Sequence, residues 1–394
     1  MKGDISADLH APEKRYSGAR AQQGRVLTDS DFNAAMDIVD DALETLVRTL
    51  VCAAGTPDGG FAISAPVAAT ATLADGSPQA TIDFAIAPGS FVLGGRAQTL
   101  NAPTTFLGQP DWISQALDPS VLPSGPTDGR NDLVYLESIV QPVRAVEDRE
   151  IQERALSADT TTRLRPQLKV RVEPDTVDEC VTAMTGLRAT LAGSSGSFSE
   201  DGTELLSNAR LSVSLEGPGP VEDPCAPRTL AGYLGAENQT IKVMLTRPGF
   251  FVWAYDHGEP LYRVQIDEAS GEVVFVTTPR DPVLYPRAGQ VIEILPWDAR
   301  LPNGEKAAAP LGHLAAITGE YDPAENRIAY DGSLPPDWAT WLAGLPAGLE
   351  GLDDEPPRYF YARIWREPEG GGVDQPVGAG VVLEQTGIEL TFSG

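Results

Sequence analysis

Apolar residues near the start of the chain repeat with the period of an α-helix. Six large apolar side chains, spaced alternately by four and three residues, are Phe32, Met36, Val39, Leu43, Leu46 and Leu50. This spacing places them along one face of a helix of about six turns. Thr28 or Asp29 can cap its start, and Gly55 and Pro57 can stop it. We therefore predict an amphipathic helix over residues 28–54, and we name the six residues the apolar seam.

The apolar seam allows two interpretations. In the first, the helix packs on its own domain, and the seam is part of that domain's core. In the second, the seam is an interface between subunits, because an alternating three-and-four repeat is also the pattern of coiled coils. The repeat lasts barely three heptads, so the pattern alone does not decide between them. Either interpretation predicts that the six side chains are buried.

After residue 80 the apolar period changes from 3.6 to 2, which is typical of β-strands. Residues 81–86 and 91–93 alternate on either side of Pro88 and Gly89, and this predicts a hairpin. Later segments with the same strand-like character are 132–140, 164–172, 241–245, 250–253, 262–266, 273–276, 291–295, 359–365 and 380–392. The fold class expected is mainly β with one long N-terminal helix (α+β), with several short-strand sandwich or barrel-like modules.

Two segments rich in glycine, serine or proline separate these strands and predict module boundaries. The resulting division is a basic arm at 1–27, the helix at 28–54, a first β module at 55–180, a flexible insertion or linker at 181–230, a second β module at 231–333, a proline-rich linker at 334–356 and C-terminal strands at 357–394.

The chain is strongly acidic. Its 394 residues carry a formal net charge of −27, and its pI is about 4.4. Such a charge repels the phosphates of nucleic acids, so we expect no nucleic-acid partner. No run approaches the 18 or so apolar residues that span a bilayer, so we expect no direct membrane insertion. The first residues lack the apolar core of a secretory signal, which favours synthesis in the cytoplasm.

Candidate metal sites are weak. Asp29, Asp31, Asn33 and Asp40 match positions of a calcium-binding loop, but Ala34 stands where that loop needs a glycine. The three histidines are too scattered to suggest zinc. We therefore expect no metal and no cofactor.

Candidate catalytic groups are equally weak. Asp256 and Glu259, beside Trp253 and Tyr255, resemble the carboxylates and aromatic rings of a carbohydrate site, yet a solvated turn explains them as well. Neither a nucleophile elbow nor a phosphate-binding glycine loop is present in the sequence. We expect a protein that is not an enzyme.

The three cysteines are too few for a disulfide scaffold. Cys180 and Cys225 flank a polar segment and could lie near each other. Whether they pair is left open, because the expected compartment is reducing.

A basic arm precedes the helix. Lys14, Arg15, Arg20 and Arg25 place four cations in twelve residues that contain no carboxylate. Glycines at 18 and 24 interrupt any helix there, so we expect an irregular or extended arm. The residues predicted to bind a partner are Arg15, Tyr16, Arg20, Gln22, Gln23 and Arg25. Guanidiniums suit bidentate pairing with carboxylates, either in the chain's own β modules or on a neighbouring acidic subunit. The alternative is a loose, solvated tail.

The segment from Arg15 to Asn33, RYSGARAQQGRVLTDSDFN, resembles the opening of a bacterial domain-of-unknown-function family. Members of that family occur among phage-tail-like and contractile-injection-system proteins. Stretches similar to the same family follow in the same order, at 86–95 with 109–111, 132–136 with 146–148, 232–239, and 361–365 with 387–390. Ala236 and Leu245-Thr246 depart from it, since the family pattern is usually more basic or histidine-containing there.

The resemblance implies a structural component near the baseplate or tail tip, with no known catalysis. We therefore expect a non-enzymatic component of a contractile, phage-tail-like particle, anchored through the arm and helix. Its partners would be other tail or baseplate subunits, copies of itself among them. After synthesis in the cytoplasm it would belong to an assembled particle that can be released. The alternative function is a receptor- or glycan-binding, tail-fibre-like module.

Overall fold

The fold is mainly β, with 37% of the chain in strands and 17% in helices. It is taken from a computed structural model. The residues described are 5–127, 129–156, 159–193, 196–215, 241–255, 260–345, 358–366, 368, 371–383 and 386–393. Many small sheets and one long N-terminal helix make up the architecture, which confirms the predicted fold class.

The described residues contain three α-helices, α1 (Asp29–Leu50), α2 (Cys180–Ala192) and α3 (Trp338–Gly344). Helix α1 begins where the sequence predicts. The Thr28 hydroxyl accepts a hydrogen bond from the backbone N–H of Asp31, and the Asp31 carboxylate accepts one from the N–H of Thr28. This reciprocal capping satisfies two donors that the first turn leaves unpaired.

Twenty-five strands are assigned in the described residues. Those of the first 180 residues are β1 (Ala54–Gly55), β2 (Val67–Thr72), β3 (Pro78–Asp83), β4 (Ala85–Ile86), β5 (Gly89–Leu93), β6 (Arg96–Leu100), β7 (Thr104–Thr105), β8 (Leu133–Val143) and β9 (Arg163–Glu173). The next are β10 (Gly196–Phe198), β11 (Leu205–Ser207), β12 (Arg210–Leu215), β13 (Ile241–Arg247), β14 (Phe250–Tyr255), β15 (Tyr262–Asp267) and β16 (Glu272–Phe275). The last are β17 (Val291–Leu295), β18 (Trp297–Arg300), β19 (Lys306–Ala308), β20 (His313–Ile317), β21 (Arg327–Asp331), β22 (Phe360–Trp365), β23 (Gln375–Pro376), β24 (Val381–Leu383) and β25 (Ile388–Ser393).

Six strands close into a barrel in the order β15-β16-β21-β20-β17-β22. Every residue of β17 is buried, because this strand contributes side chains to the interior and is covered on its outer face as well. The barrel interior belongs to the largest apolar cluster of the described chain, which includes Trp297, Tyr359 and Ile292. The three-residue segment Gln115–Leu117 from the N-terminal part packs against it through Ala116 and Leu117.

The hairpin predicted over residues 81–93 is wrong in its pairing. Strand β3 pairs with β2, and β5 pairs with β6. Two glycines with positive φ, Gly94 and Gly95, form the tight turn between β5 and β6. Such a turn matches the twist of neighbouring strands, so it directs β5 onto the strand that follows it.

The flexible linker predicted at 181–230 is also wrong for its described part. Residues up to 215 contain α2, β10, β11 and β12. The Glu179 carboxylate caps α2 by accepting hydrogen bonds from the N–H groups of Val181 and Thr182, and Ala183 and Leu187 pack against Leu133. Residues 216–230 lie outside the described residues.

The predicted boundary at 334–356 does not isolate the C-terminal strands. Strand β22 completes the barrel between β15 and β17, and β25 pairs with β12. Within the supposed linker, α3 buries Trp341 and Leu342 in the barrel's cluster. The rest of that segment, from residue 346, lies outside the described residues.

Buried ionic and polar contacts join the N-terminal strands to the barrel region. The Asp298 carboxylate accepts hydrogen bonds from the Gln167 amide at 2.7 Å and from the Lys169 ammonium at 2.9 Å. The Glu147 carboxylate accepts one from the backbone N–H of Ala308 at 2.8 Å. Because these groups are buried, each contact replaces hydration that folding removes. The two predicted β modules therefore share an interior.

Glu293 on β17 is a buried carboxylate that accepts hydrogen bonds from several donors. It pairs with the guanidinium of Arg363 at 2.5 Å and accepts hydrogen bonds from the Trp365 indole and the Gly312 N–H, both at 2.8 Å. Glu293 and Arg363 are each about 1% exposed. Removing one member of such a pair leaves a buried charge without its counterion.

We predict that Glu293→Gln lowers the free energy of unfolding by about 3–5 kcal/mol, because Arg363 keeps its charge in the interior. The matched control is Glu272→Gln, which breaks the more exposed pair between Glu272 and Arg327 and should cost only a small fraction of that. Urea unfolding of both variants measures the difference. Equal losses would contradict a special role for the buried pair.

Candidate functional site

Helix α1 turns its apolar seam outward. The six side chains Phe32, Met36, Val39, Leu43, Leu46 and Leu50 each expose between 48% and 73% of their surface. The buried residues of the helix are Ser30 and Ala34, on the opposite face. The interpretation that the seam packs on the chain's own domain is therefore wrong for the single chain. An interface between subunits is the interpretation that stays open.

The N-terminal segment contacts the start of α1. The backbone N–H and the hydroxyl of Ser6 donate hydrogen bonds to the Asp29 carboxylate at 2.9 and 2.6 Å. These bonds lower the pKa of Asp29. Farther along the helix, partial burial and the nearby charge of Asp8 raise the pKa of Asp37. The first part of the arm, around Ser6 and Asp8, thus lies along α1.

Ion pairs fix the C-terminal half of α1 to the body of the protein. Arg48 donates hydrogen bonds to the Gly94 carbonyl and to Asp201, both at 2.8 Å, and to Glu204 at 3.1 Å. Glu44 pairs with Arg96 on β6. Hydrogen bonds from Thr203 and Ser199, followed by the charge of Arg48, lower the pKa of Asp201. Asp201 and Glu204 are not predicted from the sequence, because they lie in the segment 181–230, for which the sequence predicts a linker.

The turn between β5 and β6 packs directly on the helix backbone. A Cβ atom at Gly95 would lie 2.5 Å from the Glu44 carbonyl oxygen and 2.7 Å from the Arg48 side chain. Gly95 also has a φ of +79°, which L side chains rarely adopt. A glycine at this position therefore lets the hairpin approach the helix closely.

The basic arm is irregular, as predicted, apart from the short 3₁₀ helix Pro12–Lys14 and a left-handed Arg15 with φ +56°. The six predicted partner-binding residues, Arg15, Tyr16, Arg20, Gln22, Gln23 and Arg25, are all exposed. Tyr16 leaves 63% of its surface open. Among the residues that the structure describes, none forms an ion pair with the three arginines. Carboxylates of a neighbouring chain remain the predicted partners.

The structure adds no support for the candidate metal site, the candidate carbohydrate site or the cysteine pair. Asp29 and Asp31 point to the N-terminal segment and the helix cap, and no group of three potential metal ligands occurs in the described part of the chain. Asp256, Glu259 and Cys225 lie outside the described residues. Over the same described part, the helices are all too short or too polar to cross a membrane.

Two small cavities open on the β modules. The first, of about 290 Å³, is lined partly by Trp112, Tyr135 and Arg171. Trp112 is only 4% exposed, and the Arg171 guanidinium lies 4.4 Å from the centre of its ring. Its indole is thus covered and cannot stack on a sugar. The second cavity, of about 280 Å³, includes the Arg247–Asp374 ion pair.

Residues 1–180 match a family of unknown function (DUF6519). The match covers the arm, α1 and the strands up to β9. No curated protein matches the chain, and no solved structure matches it. The similarity therefore includes the arm, α1 and the β5–β6 turn but not Asp201 and Glu204, and it assigns no activity to them.

We predict that Gly95→Ala loosens α1 from the body, because the added methyl group would overlap the Glu44 carbonyl. Amide hydrogen exchange in the second half of α1 should become faster. The control is Gly76→Ala, which has a similar φ of +81° but open space around its Cβ position. Both variants carry the left-handed strain of roughly 1–2 kcal/mol. If exchange in α1 responds equally to both, the hairpin does not hold the helix.

Proposed function

We propose that this protein is a non-enzymatic structural component of a contractile, phage-tail-like particle, in the baseplate or tail-tip region. It is anchored there through its basic arm and α1. Its partners are other tail or baseplate subunits. The observation that carries this proposal is the outward apolar seam on a helix whose other face is fixed to the body.

An exposed seam of this kind is costly for an isolated protein. Monomeric proteins rarely leave large contiguous apolar patches in water, and those that exist often mark contact sites. Here the six side chains lie on one helix face, and the Arg48 and Glu44 ion pairs hold the helix so that this face points away. The ion pairs therefore hold α1 in a fixed position with its apolar seam toward solvent.

The basic arm supports the same role. Its guanidiniums are exposed and have no ion-pair partner in the described chain, while the protein as a whole carries a charge of −27. Particles built from acidic subunits need cations at their contacts, because like charges otherwise oppose assembly. The part of the arm from residue 14 to residue 27, with four cations and no carboxylate, supplies them.

The contractile particle itself is proposed from the resemblance of residues 15–33 and of the later collinear stretches. In this proposal the chain is made in the cytoplasm and then incorporated into a particle that can be released. The absence of catalysis is part of the proposal. A specific hydrolase activity of the purified protein, or one tightly bound zinc or calcium per chain, would contradict that part.

We predict that replacing Arg15, Arg20 and Arg25 together by alanine leaves the fold intact but lowers occupancy in purified particles by roughly tenfold or more. Truncating one member of an interfacial charge pair typically costs about 2–5 kcal/mol. The control replaces Arg154, Arg280 and Arg287, three exposed arginines outside the arm, and so changes the net charge equally.

Occupancy is measured by quantitative mass spectrometry of purified particles, and folding by circular dichroism. The control variant should assemble normally. Normal occupancy of the arm variant, even at high salt where residual attraction is screened, would show that the arm is not the anchor.

A further inference from the structure

We infer that the apolar seam is the contact surface for α1 of a second copy of this chain, and that the basic arm of each copy lies against the acidic helix of the other. This inference rests on the proposed function, in which α1 and the arm anchor the chain. The partner of this anchor is then a second copy of the chain.

The spacing within the seam favours a helix as its occupant. Its intervals are four, three, four, three and four residues, which in heptad notation puts Met36, Leu43 and Leu50 at position a. Phe32, Val39 and Leu46 then occupy position d. A stripe of only a and d positions is the narrow seam of a helix–helix pair, whereas a helix that packs on a globular core has a wider apolar face.

The residues that flank the apolar seam are compatible with a contact between two copies of α1. The e and g positions are Asn33, Ala35, Asp40, Ala42, Val47 and Thr49. Asp40 is the one charged residue among them, so two copies meet little like-charge repulsion along the contact. The small side chains at 35 and 42 also allow the helices to approach closely.

The six side chains match a second copy in either direction. In a parallel pair each residue meets its own counterpart. In an antiparallel pair Phe32 meets Leu50, Met36 meets Leu46 and Val39 meets Leu43. No seam residue is left without a counterpart in either arrangement, as an isologous contact requires.

The area is sufficient for a specific contact. Six large side chains at about half exposure present on the order of 600 Å² per copy, so a pair of copies exceeds the roughly 1,000 Å² of a specific interface. The approach is also open. Ser30, Ala34 and Arg48 hold the opposite face, so a second helix reaches the seam without displacing the body.

Charge complementarity points to a copy of this chain rather than to another protein. Helix α1 carries six carboxylates and one cation, Arg48, which its own body engages. The arm carries four cations and no carboxylate between residues 14 and 27. A purely acidic partner would suit the arm and repel the helix, and a basic partner would do the reverse. A second copy of this chain has both an acidic helix for the arm and a basic arm for the helix.

The arm is long enough for this pairing. Residues 15–27 span about 40 Å when extended, and α1 is about 33 Å long. The arm of one copy can therefore reach exposed carboxylates such as Asp40 and Asp41 along the other copy's helix. Within one copy, no ion pair between the arm's arginines and α1 occurs in the described residues.

Sedimentation equilibrium on the full-length protein tests the inference. The wild type should form dimers or larger assemblies of the 41.8 kDa chain at micromolar concentration. Leu43→Gln with Leu46→Gln should weaken association by roughly 100-fold or more. Both side chains are exposed in the single chain, so the variant should fold normally by circular dichroism. The control Thr45→Gln places the same side chain outside the seam and should associate like the wild type.

Cysteine cross-linking tests the contact itself, in a background with Cys52, Cys180 and Cys225 replaced by serine. Leu46→Cys should cross-link two copies if they pair in parallel, and Met36→Cys with Leu46→Cys should do so if they pair antiparallel. Either result supports the inference. The control Thr45→Cys should not cross-link. Failure of both seam variants to cross-link would overturn it.

The arm is tested with the triple alanine variant at positions 15, 20 and 25, which should weaken self-association by roughly tenfold or more. Unchanged association would overturn the arm's part in the contact. A wild type that stays monomeric at about 100 µM, or a seam variant that associates as well as the wild type, would overturn the whole inference.

The proposed function can fail separately. A protein that self-associates through α1 but is absent from purified particles would contradict the proposed function and leave this inference standing. A protein that is found in particles but is monomeric in solution and does not cross-link would overturn this inference and leave the proposed function standing.

Discussion

The interior of this protein depends on buried carboxylates, each surrounded by donors from distant parts of the chain. Asp298 binds Gln167 and Lys169, and Glu305 pairs with Arg149 and Arg263. Moving a charge out of water costs several kcal/mol, and only good geometry with further hydrogen bonds offsets that cost. A shifted arrangement of the strands would leave such a charge unpaired. These contacts therefore favour a single way of packing the N-terminal strands on the barrel region.

Helix α1 stands outside this arrangement. None of its residues belongs to the apolar clusters of the described chain, and its ion pairs with the body are made by Arg48 and Glu44. Since the body holds the helix by ion pairs on one face, the apolar seam on the other face is not needed for the core. The same attachment that fixes the helix also fixes the direction in which the seam points.

The sequence predicted local features well and non-local ones poorly. Periodicity identified α1, and the Thr28 cap located its start, because both depend on neighbouring residues. Periodicity could not say which face of α1 meets the body, since ion pairs can hold the polar face as well as apolar contacts can hold the other. The pairing of β12 with β25 joins segments about 175 residues apart, which no local pattern contains. Asp201 and Glu204 were missed for the same reason, because their partner is Arg48.

The arm and the seam are best understood as one surface. Thr28 caps α1 with its own hydroxyl while its N–H is held by Asp31, so the cap fixes the angle at which the arm leaves the helix. The cations of the arm, between Lys14 and Arg25, precede this cap in the chain. For a chain of charge −27, burial of apolar surface against another acidic subunit is opposed by repulsion unless cations are present at the contact. Four cations precede the apolar seam in the chain, so in the inferred pair of copies one contact would bury the seam and neutralise carboxylates.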